Sequence, residues 1–189
     1  MNRVATPVDA HRAARSPERA EPQFRDLFDA NLGLVWKVLR RLGVHERDLE
    51  DEAHEVFVVV HRRLDDYDPA RPFRTWLLGI CYRRAADYRR LSRHANEELV
   101  DAPEAPISER TMEDHYAERE DWARLHASLD RLEHPERTVV VLHDLEGLPL
   151  REVAEIVGAP LQTVYSRVRS GRQALARLLG LPSGEAGGA

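Results

Sequence analysis

The sequence predicts an all-α protein of two small helical domains joined by an acidic flexible linker, the second domain containing a helix-turn-helix. Three observations predict it. Apolar residues recur at helical spacing over two separate stretches; strand alternation is missing apart from two short valine runs inside those stretches; and an acidic segment bearing Pro103 and Pro106 breaks the pattern between them. A chain of 189 residues suits two small domains with modest cores and disfavours a large barrel enzyme. The boundaries that follow are a disordered tail at 1–20, a first helical domain at 21–94, a linker at 95–116, a helix-turn-helix domain at 117–180 and a second loose tail at 181–189.

Each element has its own signal. Phe24, Leu27, Phe28, Leu34, Val35, Val38, Leu39 and Leu42 trace one helix, which Gly43 stops. Asp48 is placed to cap a second helix, whose stripe Leu49, Ala53, Val56, Val60 and Leu64 is spaced four, three, four and four. Pro69 and Pro72 make 65–72 a loop. A third helix is expected from Phe73 to about Arg93, burying Phe73, Leu77, Ile80 and Leu91, which completes a three-helix bundle. Helical spacing resumes after the linker at Trp122, Leu125, Leu129 and Leu132. Pro135 then opens a helix over 137–145 that Gly147 ends, and two further helices at 150–157 and 161–179 flank Gly158-Ala159-Pro160.

Charge is unevenly spread. The net charge of −5 by itself argues against nucleic acid, because phosphate binding needs clustered Lys and Arg. The local balance points the other way. Residues 44–68 carry a net −6, with Asp48, Glu50, Asp51, Glu52 and Glu55 at their centre, and suit a basic protein partner. Residues 71–93 carry a net +6 from Arg71, Arg74, Arg83, Arg84, Arg89, Arg90 and Arg93 against Asp87, with Phe73, Trp76, Tyr82 and Tyr88 interleaved. Guanidinium groups hold phosphates while bases stack on rings, so this composition fits unpaired nucleic acid; a solvated arginine face is the plainer alternative.

Residues 150–169 fit a helix-turn-helix. Ala154 is small enough for close crossing, Gly158 turns the chain, and Val153, Val157, Val164 and Val168 seal the pair. An ordinary helical hairpin shares that spacing. What favours the first reading is the other face of the second helix: Gln162, Thr163, Tyr165, Ser166, Arg167, Arg169 and Arg172 are residue types that bond to base edges and phosphates in a major groove.

Several runs together resemble the extracytoplasmic-function (ECF) sigma factors of bacterial RNA polymerase. Asp48-Leu-Glu-Asp-Glu-Ala-His-Glu-Val-Phe57, Phe73-Arg-Thr-Trp-Leu-Leu-Gly-Ile80 and Ala86-Asp-Tyr-Arg-Arg90 are similar to sigma region 2. Leu129-Asp-Arg-Leu132, Arg137, Glu152-Val-Ala-Glu-Ile156 and Thr163-Val-Tyr-Ser-Arg167 are similar to sigma region 4. The resemblance implies a DNA-binding subunit that directs core polymerase to promoters without chemistry, cofactor or metal of its own. It implies polymerase binding at the beta-prime clamp helices through Asp48, Glu50, Asp51, Glu52, Glu55 and Phe57. It assigns capture and melting of the minus-10 element to Arg71, Arg74, Trp76, Arg83, Arg84, Arg89 and Arg90, and reading of the duplex minus-35 element to Gln162, Thr163, Tyr165, Ser166, Arg167, Arg169 and Arg172, with Arg167 foremost. Region 4 would also touch the beta flap, the linker would thread through the polymerase, and an anti-sigma factor would hold the protein inactive in the cytoplasm. His54 and Arg83 stand where many members have Gln and Asn, and Gln162 and Tyr165 where Gly and Lys are frequent, so no promoter consensus carries over.

Other classes fit less well. A stand-alone helix-turn-helix regulator has little use for a second, single-strand surface. An enzyme is disfavoured because GxSxG, a P-loop, HExxH and paired metal-ligand motifs are missing. The longest apolar run, 56–60, is far too short to span a bilayer. His54 and His61, seven apart, are expected to be surface residues rather than metal ligands. Asp87 is expected to pair with Arg83 or Arg90, Trp76 to be core more than wedge, and lone Cys81 to be a small buried hydrophobe.

Overall fold

The computed structural model describes residues 17–96 and 114–181, with side chains over 24–92 and 122–181. The described residues form seven α-helices and no strand: α1 Pro17–Arg41, α2 Leu49–Arg63, α3 Phe73–Asn96, α4 Asp114–Asp130, α5 His134–Val140, α6 Leu150–Val157 and α7 Leu161–Leu179, with short single-turn helices at Glu46–Asp48 and Leu64–Asp66. The expected tails at 1–16 and 182–189 and the linker stretch 97–113 lie outside the described residues. α1 begins inside the segment expected as tail, and α4 begins inside the expected linker.

Helices α1 to α3 form the first bundle. α1 ends where expected: Gly43 N–H donates to Arg40 O at 3.0 Å and Val44 N–H to Leu39 O at 3.1 Å, a paired closure that uses up two of the helix's orphan carbonyls. The stripe of α2 is buried as its spacing dictates, with Leu49, Ala53, Val56 and Val60 inside, joined by Phe57. Fully burying one such side chain is worth about 1.5–3 kcal/mol, so the stripe fixes the rotation of α2. Asp48 precedes α2 but makes no cap bond with its side chain; its carboxylate accepts from Tyr88 Oη at 2.6 Å, tying α2 to α3 instead. α3 buries Leu77, Leu78, Ile80, Cys81, Ala85 and Tyr88. Leu91, expected in the core, is 61% exposed: it lies about one turn beyond Tyr88, the last buried apolar side chain of α3.

The second domain is built on α5 to α7. α5 runs into a wide turn at Val141–Leu145, in which Glu146 N–H reaches back to Val141 O at 3.0 Å. Pro149 precedes α6 and Pro160 precedes α7, where the missing N–H costs nothing. Gly158 closes α6 at φ +66°, a left-handed conformation that costs a side-chain-bearing residue steric strain. Val153, Val164 and Val168 are buried and Val157 packs beside them, so the seal expected of a helix-turn-helix is present.

Two tests address this packing. A Cβ at Gly171 of α7 would sit 2.8 Å from Val140 Cγ2 and 3.3 Å from the Glu136 carbonyl oxygen. Gly171→Val therefore overpacks a stiff contact, and urea unfolding of the full chain should show a loss of about 2 kcal/mol; an unchanged midpoint would refute the close approach. Cys81 is fully buried, and burial pushes its thiol up to about 12. An aromatic disulfide reagent should label it only in denaturant, and rapid native labelling would contradict its place in the core.

Candidate nucleic-acid interface

On α7, Val164 and Val168 turn inward while Gln162, Tyr165, Ser166 and Arg169 turn outward, with Thr163 and Arg167 at the half-buried margin. Tyr165 is 52% exposed, an uncovered aromatic beside cationic and hydroxyl groups. The hydroxyl of Ser166 donates to Thr163 O at 2.9 Å and so stays on its own helix. Arg172, the last of the expected row, is anchored: its Nε donates to Asp144 Oδ2 at 3.0 Å, and this hydrogen bond to a carboxylate raises its pKa. The remaining outward row is one continuous helical face, the shape that a major groove admits.

The basic stretch on α3 divides by partner. Arg84 makes a two-point pair with Glu52 of α2, Nη2 to Oε1 at 3.0 Å, and that bond raises its pKa. Arg89 donates to Leu42 O at the carbonyl end of α1. Arg90 reaches Asp87 at 3.2 Å, the i, i+3 pair expected for Asp87. Arg83 stands exposed near Gly79. Trp76 is half-buried in a triad with Tyr67 and Phe73, ring centres 5.3 and 5.6 Å away, at the base of the 65–72 loop. Tyr67 Oη donates to Arg71 O at 2.6 Å and Asp68 accepts from Ala70 N–H at 2.9 Å, so the loop is tied back on itself at two points.

On α2, Glu50, Asp51 and Glu55 face solvent together. Glu52 and Phe57, expected beside them, face inward: Glu52 to Arg84, and Phe57 to Phe28 with ring centres 4.5 Å apart. His54 and His61 line an apolar groove with Phe24, Phe28 and Phe57, and no metal-binding cluster occurs among the described residues.

Sequence reasoning missed the contact between the two domains. Glu146 is nearly sealed, its side chain 3% exposed, and receives Arg41 Nη1 at 2.7 Å and Arg74 Nη2 at 2.6 Å. Thr75 Oγ1 donates to Glu152 at 2.8 Å and Arg71 lies 3.6 Å from Glu155. In the other direction Arg137 donates to Arg41 O at 2.6 Å and Arg40 O at 3.1 Å, while burial lowers its pKa against the pull of Asp130. Arg41 also lies over the Trp122 ring at 5.0 Å. Burial, with Arg40 and Arg41 nearby, pushes His126 down to about 4, which leaves it neutral at pH 7. A signal for Glu146 was available: an acid at a helix carbonyl end opposes the helix dipole and needs a cation from elsewhere.

Comparison with known proteins agrees with this geometry. Residues 27–94 match Sigma-70 region 2 and residues 122–175 match Sigma-70, region 4. The chain is 31% identical over 183 residues to the RNA polymerase sigma factor CnrH of Cupriavidus metallidurans, covering 92% of this chain and 96% of that one. It is 33% identical over 174 residues to the ECF RNA polymerase sigma factor SigE of Mycolicibacterium smegmatis, covering 91% of this chain and 67% of that one. The solved structure of CnrH in complex with the cytosolic domain of CnrY superimposes with a TM-score of 0.62 at 26% identity, covering 92% of this chain and 94% of that one. With both sigma regions present in order and CnrH aligned over nearly its whole length, the chain belongs to the ECF sigma factors of RNA polymerase.

Proposed function

We propose that this protein is a non-enzymatic initiation subunit whose α3 edge and 65–72 loop capture the opened minus-10 strand while α7 reads the minus-35 duplex. The observation that carries this reading is the presence of two cationic faces on different domains: exposed Arg71 and Arg83, with Arg74 and the aromatic triad beside them, on one, and exposed Gln162, Tyr165 and Arg169, with Arg167 at their half-buried margin, on the other. A folded loop that presents aromatic rings beside arginines suits unstacked bases, and unstacking costs a few kcal/mol per step that those contacts must offset. A helix face with polar and cationic tips suits base edges in a closed duplex. Arg84 and Arg89 support the strand surface from behind, since their guanidinium groups serve Glu52 and the end of α1.

Glu50, Asp51 and Glu55 on α2 form the surface for a basic element of core polymerase, the beta-prime clamp helices in this family, with the beta flap meeting the second domain. Glu52 and Phe57 act indirectly, by fixing the rotation of α2. No described helix is long and apolar enough to cross a membrane, and action on promoters puts the protein in the cytoplasm. An anti-sigma partner is expected for this family, and the similar chain CnrH, solved in complex with the cytosolic domain of CnrY, supports a protein partner here.

Run-off transcription with purified core polymerase on a promoter library tests the assignment. The wild type should initiate on a subset of promoters only with core present. Arg167→Ala should reduce discrimination at the minus-35 element by roughly 10- to 100-fold, the loss expected for one good base contact, with little change at minus-10. Arg83→Ala should weaken open-complex formation across promoters and lower its salt dependence. Activity without core, or an unaltered minus-35 preference in Arg167→Ala, refutes the corresponding role.

A further inference from the structure

α7 is seated on α5 and the wide turn after it by three consecutive residues. Ser170 Oγ donates to Glu136 Oε1 at 2.6 Å. Buried Gly171 lets the backbones come so close that a Cβ there would meet Val140 Cγ2 at 2.8 Å. Arg172 turns the Nε–Nη2 edge of its guanidinium onto both oxygens of Asp144, with Nε 3.0 Å from Oδ2. The partners Glu136, Val140 and Asp144 are spaced four apart and so share one side of α5 and its continuation. We propose that Asp144 is a positioning residue for duplex reading: through Arg172 it fixes the rotation of α7, and Arg172 serves this seat rather than the DNA backbone.

Arg172 follows Arg169 by three positions and Tyr165 by seven, which is why spacing alone groups it with the reading row. Its partner sets it apart. His143 Nε2 stands 3.8 Å from Asp144 Oδ1, too far for a hydrogen bond, so Arg172 is the cation that holds this carboxylate. The pair is too open to add much stability, with Arg172 49% and Asp144 23% exposed. Its contribution is directional: a two-point guanidinium–carboxylate pair fixes both the distance and the angle of approach. The first half of α7 is held differently, by the buried Val164 and Val168, and apolar packing has no preferred direction. Side chains that recognise a ligand must be held to within about 0.5 Å, so the row from Gln162 to Arg169 takes its aim from the turn that follows it.

The seat rests on the duplex-reading role proposed for α7, so the test separates the two. Core polymerase with the full chain is assayed by run-off on a promoter that the wild type selects and on the same promoter with its minus-35 element scrambled. The ratio of the two yields is insensitive to any loss of folded protein. Asp144→Ala and Arg172→Ala should each lower it at least about 3-fold, and the double variant no further than either alone, since the two side chains act as one pair. On charge alone Asp144→Ala would bind both promoters more tightly and leave the ratio unmoved. The salt dependence of duplex binding should be unchanged in Arg172→Ala, whereas loss of a phosphate contact would flatten the slope of log K against log salt by about 0.9. An unaltered ratio in either single variant, a flattened slope in Arg172→Ala or additive losses in the double variant overturns the seat while Arg167→Ala still lowers the ratio. An unaltered ratio in Arg167→Ala overturns duplex reading by α7 itself, and the seat with it.

Discussion

A carboxylate as deeply sealed as that of Glu146 is costly to bury unless cations pack against it, and the arrangement of both domains follows from where those cations come from. Arg41 and Arg74 both belong to the first bundle, one at the end of α1 and one at the start of α3. The second domain returns the exchange with Arg137, whose guanidinium enters the carbonyl end of α1. Each domain thus places a charge inside the other. At an effective dielectric near 20, two charges 4 Å apart attract by about 4 kcal/mol, while desolvating each ion costs several kcal/mol. The sum lies near balance, so separating the domains returns four hydrated ions to water at modest cost. Removing one partner while the domains stay packed is far costlier, because it strands an ion.

The same constraint explains how α3 serves several purposes with one basic stretch. Arg84 neutralises Glu52, which lets an acidic helix lie against the bundle; Arg89 completes the end of α1; Asp87 holds Arg90 along the helix. Arg84 and Arg89 thus tie α3 into the bundle, whereas Arg90 pairs with Asp87 on the exposed surface of the helix. A count of arginines therefore overstates the cationic surface offered to nucleic acid. Position on the helix decides which of them face outward.

Much of the fold was legible because helix signals are local. The stripe of α2, the stop at Gly43, and Pro160 and Gly158 around the helix-turn-helix each act within a few residues of their cause, and α6 and α7 begin and end where those signals put them. The outward row of α7 was legible for the same reason, since burying Val164 and Val168 leaves its neighbours facing away. What the sequence hid depends on distant partners. Nothing local separates Arg84, turned to Glu52, from Arg83, turned to solvent. Phe57 falls among acids in sequence yet completes a cluster with Phe24 and Phe28 from another helix. Leu91 has the right spacing for the core but outruns the helices that would cover it. The contact between domains was least legible of all, since it joins residues 72 to 105 positions apart through polar groups that carry no periodic signal.

Separated charge also reconciles an acidic protein with a nucleic-acid partner. A Debye length of about 8 Å under physiological conditions confines each face to its own neighbourhood, so the net charge of −5 is not what a phosphate meets on approach. The exposed acids of α2 repel a strand and attract a basic protein surface, whereas the start of α3 does the reverse. Because both helices belong to one bundle, binding through the acidic face fixes the direction in which the basic edge points. At the domain boundary the two signs meet directly, with Arg74 on Glu146 and Arg71 3.6 Å from Glu155, so the charge that α3 offers there depends on the acids of the second domain as much as on its own arginines.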